Sequence, residues 1–305
     1  MQKRVLAIYY TQSGQMGQII DSLTQPLERA GATVEKVIIK PKENFDFPWT
    51  GKRFFAVMPS CQLDIPTEIE PLSFKEDSYD LIILAYQPWF LSPSIPVTSA
   101  LHQPEFRRLL KDTPVLTISA ARNMWLSAFE RLRASIAGAG ANHIGNIALV
   151  DRHPNFVSFV TIFYWMLSGK KKRYLNIFPK PGVADEDIEH TKVFGQTVAN
   201  YLQSDTWNGL QDDLVKQGAV RINYSLMVIE SKAKIMFKMW AKFIVRRNNR
   251  VPWITAFKYY LFIALFLGAP ILLTLDAIFL KPFSRKRISL KTLNYLMINP
   301  ATYVR

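Results

Sequence analysis

From Tyr259 to Leu280 the chain runs for 22 residues without a basic side chain, and basic clusters close it at both ends. Arg246, Arg247, Arg250 and Lys258 precede the run; Lys281, Arg285, Lys286, Arg287 and Lys291 follow it. About 20 apolar residues suffice for a helix to cross a bilayer, so this segment points to a membrane. Gly268 and Pro270 interrupt it, and Asp276 is costly in hydrocarbon. A single span would leave one basic cluster outside, against the positive-inside tendency. The favoured reading is a re-entrant hairpin turning at Gly268-Ala269-Pro270, which keeps both clusters on one side. A single span and a buried helix of a soluble core are the alternatives.

The formal charge of +14 sits almost wholly in this part of the chain. Residues 1–205 hold 22 Lys and Arg against 20 Asp and Glu, whereas residues 206–305 hold 16 against 4. The chain therefore divides into a near-neutral head, 1–205, and a basic tail, 206–305, that wants an anionic partner. Before the apolar run, Ile222, Leu226, Ile229, Ala233, Met236, Trp240 and Phe243 recur at helical spacing, with Lys234, Lys238, Lys242 and Arg246 on another face. This reads as a helix lying on anionic membrane lipids with its lysines snorkelling, or as one strand of a coiled coil. A second apolar run, Phe156–Leu167, is too short to span and suits the interface or a core equally. Nucleic acid is excluded as a partner because the basic residues interleave with long apolar runs. No basic-then-apolar leader precedes the first strand-like run, which predicts a cytosolic N-terminus and the cytoplasmic face of the inner membrane. A single cysteine, Cys61, excludes an internal disulfide and reads as a small structural thiol.

The head alternates apolar runs with amphipathic stretches. Val5–Tyr10, Thr33–Ile39, Asp80–Tyr86, Pro114–Ala120 and Asn146–Val150 read as strands, several of them apolar throughout, as in a parallel sheet buried on both faces. Helical spacing of apolar residues between them predicts an α/β, doubly wound, five-stranded sheet. A short helix is expected around Lys52–Met58 in the aromatic insertion, and a last head helix over Asp185–Leu202, opened by an acidic turn.

After the first strand comes Thr11-Gln12-Ser13-Gly14-Gln15-Met16. Hydroxyls and free N–H groups at a helix N-terminus favour an anion. The loop lacks the Gly-Lys-Ser/Thr of a triphosphatase loop and carries no cation, which suits a phosphate monoester; a plain helix cap is the other reading. Two further loops lie at strand carboxyl ends: Gln87-Pro88-Trp89-Phe90-Leu91-Ser92 and Arg122-Asn123-Met124-Trp125. Trp89 and Trp125 could stack on a flat ring, and Arg122 and Asn123 could donate to ring carbonyls.

The Thr-x-Ser-Gly-x-Met loop resembles the FMN-phosphate loop of flavodoxin-like proteins, with Met16 where a hydroxyl residue is usual. The strings IYYTQSGQ, ILAYQPWFLSPSIP, SAARNMW and NIALVDRHPN resemble the bacterial dialkylresorcinol-condensing enzymes over roughly residues 4–175. That resemblance implies a flavodoxin-like fold with FMN as cofactor. It also implies a role in making dialkylresorcinols, precursors of aryl-polyene or flexirubin-type pigments, beside a separate ketosynthase that builds the cyclohexanedione ring. Aromatising such a lipid-like dione needs a hydride acceptor, which FMN is. Arg122 is the cation expected at the enolate oxygen, and His153, past the fifth strand, is the candidate base ahead of His143. The aromatic insertion, Phe45, Phe47, Trp49, Phe54, Phe55 and Met58, is expected to line an alkyl-chain channel or to cover the sheet edge. A flavodoxin-type electron carrier and a non-catalytic membrane scaffold are the competing functions, and a homodimer is left open.

Overall fold

The computed structural model describes residues 2–281 and 285–298; the side chains of Leu280, Arg285, Lys286 and Arg287 lie outside the described set. Strands β1 (Arg4–Tyr9), β2 (Thr33–Ile38), β3 (Leu81–Tyr86), β6 (Pro114–Ala121) and β7 (Asn142–Val150) form one sheet, and β4 (Pro88–Trp89) and β5 (Ser92–Pro93) form a small hairpin. The sheet order is β2-β1-β3-β6-β7 and every pairing is parallel. This is the flavodoxin-like doubly wound order. All five strands fall on the expected runs, although β7 starts four residues earlier than expected and the edge strand β2 is exposed or half-buried throughout; β3, covered on both faces, is buried at every residue.

The helices are α1 (Gln15–Arg29), α2 (Gly51–Ala56), α3 (Met58–Gln62), α4 (Ile95–His102), α5 (Pro104–Leu110), α6 (Leu126–Ala137), α7 (Asn155–Ser168), α8 (Asp185–Gln203), α9 (Leu210–Lys216) and α10 (Tyr224–Val245). They are followed by α11 (Val251–Ile263), α12 (Ala269–Leu275) and α13 (Arg285–Leu296). One sheet face packs on α1, α8 and α9, the other on α4, α5 and α6. A Cβ at Gly195 in α8 would stand 2.1 Å from the Leu23 carbonyl oxygen, so α8 crosses α1 at a backbone contact that glycine permits. The short helix expected at 52–58 is two helical turns, α2 and α3, with Pro59 opening the second.

The tail is built into the head. Leu210, Leu214, Ala219, Val220 and Met227 belong to the core on the α1 face. A third core joins Phe55 and Met58 of the insertion, Leu91 of the hairpin, and Phe237, Ala241, Ile244 and Phe257 of the tail. The apolar stripe read along α10, as a helix on anionic lipids or as a coiled-coil seam, is offset by about one residue from the positions that are buried. The buried positions are Met227, Glu230, Phe237, Ala241 and Ile244, on a helix that packs against α3, α6, α11 and α12.

The turn expected at Gly268-Ala269-Pro270 is not made. Val251–Phe279 is one continuous helix of 29 residues, in which a π turn, Ala264–Gly268, precedes Pro270. Such a wide turn displaces the carbonyl that the proline ring would otherwise meet, so proline is accommodated without a break. Asp276, also expected to disfavour an apolar environment, is buried against the Tyr224 hydroxyl at the start of α10.

Candidate functional site

In a doubly wound sheet the crevice outside the strand carboxyl ends opens where the order reverses, here between β1 and β3. The loops after both strands meet there. The Gln87 amide donates to the Tyr10 carbonyl at 2.7 Å, tying one loop to the other. Gly14, at φ 84°, turns the chain into α1, whose first-turn N–H groups have no partner within the helix. Thr11 Oγ1 is buried without a hydrogen-bond partner, and Ser13 is exposed beside it. These groups fit the phosphate of the FMN that the resemblance implies. Met16 does not contribute to that cradle, since its side chain is 1% exposed and packs into the sheet core. Gln15 is turned away to the Val183 carbonyl at 3.1 Å, and the Gln12 amide is engaged by the Phe45 carbonyl (2.9 Å) and Trp49 Nε1 (3.1 Å).

After β3 the chain forms the β4–β5 hairpin, whose tip residues Phe90 and Leu91 have φ of 47° and 63°. Non-glycine residues in this region persist where their surroundings over-determine them. The surroundings here come from the tail and insertion: the Phe90 ring lies 4.8 Å from Phe54, 6.4 Å from Phe237 and 6.3 Å from Phe257. Trp89 stands edge-on to Tyr10, Phe45 and Trp49.

These loops form one end of a cavity of about 480 Å³. Gln12, Ser13, Gln15, Met16, Gln87, Pro88, Trp89, Phe90, Leu91, Arg122 and Met124 line it, as do Phe47, Trp49 and Phe54 of the insertion. The rest of the wall comes from α7 (Phe159, Ile162, Phe163, Trp165, Met166), α10 (Ile229, Lys232, Ala233, Met236, Phe237) and the Val251–Phe279 helix. The lining among the described residues carries two cations, Arg122 and Lys232, and no carboxylate. Arg122 is fixed by a 3.1 Å bond to the Asn155 carbonyl and lies over the Phe159 ring at 5.7 Å. Burial brings its guanidinium down to about 10, with the Asp151 charge opposing the fall, so it stays cationic at neutral pH.

Several expected site residues are placed elsewhere. Trp125 is 2% exposed and packs in the core, 5.6 Å from Phe129, because it caps α6 with its indole turned under the helix. The second aromatic wall is supplied by α7 instead. Asn123 is buried and donates to Asn155 Oδ1 at 2.7 Å, which holds the Arg122 loop rather than lining the cavity. Ser92 is buried beneath the hairpin near Gln62. His153 is exposed and absent from the cavity wall: buried Asp151 accepts its backbone N–H (3.0 Å) and the Ser158 hydroxyl (2.8 Å), shaping the turn. His143 is half-buried beside Thr117 at 3.1 Å, its imidazole lowered to about 4 by desolvation. Neither histidine lines the cavity. Cys61 is buried and its thiol is pushed up by desolvation. The contribution of α7 and the tail to the cavity is not expected from the sequence, which shows their apolarity but not which face each turns inward.

No protein-family model matches the chain, and no curated protein matches it. Among solved structures it is similar to an FMN-complexed flavoprotein from Lactobacillus acidophilus NCFM, at 16% identity and a TM-score of 0.39, over 48% of this chain and 93% of that one. A flavodoxin from the domain Archaea is similar at 9% identity and a TM-score of 0.37, over 66% and 99%. A flavone reductase is similar at 11% identity and 0.36, over 66% and 64%. The fold assignment rests on the sheet order itself.

Proposed function

We propose that this chain is a membrane-associated, FMN-dependent oxidoreductase that aromatises a 2,5-dialkylcyclohexane-1,3-dione to a dialkylresorcinol. The observation that carries this reading is one continuous cavity with chemically distinct ends: the Ser13 hydroxyl at the N-terminus of α1, and a wall of apolar tail helices. A soluble electron carrier has no use for the second. Conversion of dione to resorcinol removes two hydrogens, one as a proton and one as a hydride that oxidised FMN accepts.

In this reading the chain's own residues bind and orient. Thr11, Ser13 and the first-turn amides of α1 hold the phosphate, and the β4–β5 hairpin with Trp89 borders the ring. Arg122 stabilises the enolate oxygen of a dione that enolises readily, so no histidine is needed in the cavity to start the reaction. The alkyl chains lie among α7, α10 and the Val251–Phe279 helix, where each buried CH₂ contributes about 0.8 kcal/mol without touching the reacting carbons. The ketosynthase and the cytoplasmic face of the inner membrane belong to the same proposal. The test is anaerobic mixing of the purified yellow protein with dialkylcyclohexanediones, following flavin bleaching and resorcinol formation. Colourless protein that takes up no added FMN overturns the cofactor. Bound FMN that no dione reduces overturns the aromatase and leaves the scaffold.

A further inference from the structure

The apolar helix Val251–Phe279 is long and apolar enough to cross a membrane, yet it has two different apolar faces. Leu261, Ala264, Leu265, Gly268, Ala269 and Leu272 form one stripe at helical spacing, and all line the cavity. Tyr259, Ile263, Leu267, Ile271, Leu275 and Ile278 form the opposite stripe, each between 49% and 62% exposed. The helix is also tied to the protein at both ends. Phe257 is fully buried with its ring 5.3 Å from Phe237, and Asp276 is 5% exposed against Tyr224. Standing such a helix upright in a bilayer would draw α10 in with it, together with the exposed Lys232, Lys238 and Lys242.

We propose that the chain docks monotopically on one anionic leaflet: the helix lies in the membrane plane, its outer stripe among the acyl chains and its inner stripe closing the cavity. This deepens the membrane association proposed above and does not depend on the flavin chemistry. The occupant is argued from charge. Arg250 and Lys258 at one end and Lys281 at the other flank the apolar stripe, and an in-plane helix lets all three meet the headgroups of one leaflet. A span would separate them. Phe156 of α7, exposed and 5.4 Å from Phe266, extends the same face. The exposed members of the cavity lining are Ser13 on the phosphate loop, and Lys232 and Gly268 on the tail. The tail mouth therefore lies on the helix that the leaflet would hold, which lets an amphiphile enter sideways from the bilayer.

The test uses the full chain carrying Cys61→Ala, with a bimane label on Tyr259→Cys, Leu267→Cys, Ile278→Cys or, on the inner stripe, Leu261→Cys. Each is bound to phosphatidylcholine vesicles, with or without phosphatidylglycerol, that contain lipids brominated at shallow or deep acyl positions. The expected result is equal quenching at 259, 267 and 278, strongest with the shallow bromines, and little at 261. Omitting phosphatidylglycerol should weaken binding by about fivefold for each basic residue engaged. A profile deepest at 267 and shallow at both ends means a span and overturns the in-plane geometry while leaving membrane association intact. No binding to either vesicle overturns both, whatever the flavin does.

Discussion

The proposed function gives Arg122 and Ser13 different tasks, and their variants should separate cleanly. Ser13 is exposed beside the unpartnered Thr11 hydroxyl, so Ser13→Asp sets a carboxylate against the phosphate. FMN retention on gel filtration should be lost while the far-UV circular dichroism stays unchanged; a yellow Ser13→Asp protein would place the phosphate elsewhere. Arg122 lines the cavity from a loop held by Asn155, and in the proposed reaction its charge would matter most as the enolate forms. Arg122→Ala should lower kcat by about 10²–10³-fold with a smaller change in KM, measured by rapid mixing with one dione. Equal loss in both FMN content and kcat would make it a cofactor contact instead. Both residues are legible in the sequence because loop position after a strand determines where they stand. Trp125 and His153 show where that legibility stops: each follows the right strand, but one packs under α6 and the other, held by its backbone N–H in the turn that Asp151 shapes, is exposed. Strand ends are read from periodicity, whereas side-chain direction within a loop depends on contacts made far along the chain.

At the level of elements, the joint between head and tail is a buried carboxylate. Glu230 of α10 is 1% exposed and accepts the Ser127 N–H at 2.6 Å, capping the N-terminus of α6. Desolvation raises its carboxyl to about 7 from 4.5, and the neighbouring Glu130 charge adds to the rise. Tyr86 and Tyr295 also face it. Between those two values the native state keeps a proton that the unfolded chain has lost, so this residue's contribution to stability is full below about 4.5 and falls as pH rises through about 7. The rise corresponds to about 3 kcal/mol at most. His143, lowered to about 4, works in the opposite direction, its contribution declining as pH falls below about 6.5, so the informative quantity is a difference between proteins. Glu230→Gln should gain on wild type as pH rises from about 5 to about 8 in urea unfolding, and parallel curves would show that Glu230 is ionised throughout. No sequence pattern marks this glutamate. It falls on the apolar side of α10, and its partner lies about 100 residues away in the head. The Val251–Phe279 helix is the complementary case: its apolarity is plain in the sequence, but an all-round apolar helix carries no periodicity to say which stripe faces protein and which faces lipid.

For the molecule as a whole, the head is a flavodoxin-like sheet whose switch-point crevice has been extended by its own C-terminal helices. The tail completes a core with the insertion and hairpin and walls the far half of the cavity, so in the proposed reaction the ring and the alkyl chains would share one space. Substrate length should therefore be read by the tail and not by the loops. Gly268 offers a direct test, because it lines the cavity and a Cβ there would meet nothing nearer than the Ile263 carbonyl oxygen at 4.0 Å. Gly268→Leu can keep its helical backbone and place four carbons in the chain end of the cavity. Each methylene of substrate displaced should raise KM by roughly fourfold, since burying a CH₂ contributes about 0.8 kcal/mol. Diones with short alkyl chains, which do not reach that wall, should lose far less, and flavin absorbance at saturating FMN should not change. The measurement is kcat/KM against chain length for wild type and Gly268→Leu. Two lines that diverge only beyond a threshold length place the chain against the helix. A uniform offset at every length would mean that the substituted helix has shifted the ring site, and identical lines would put the alkyl chains outside this cavity altogether.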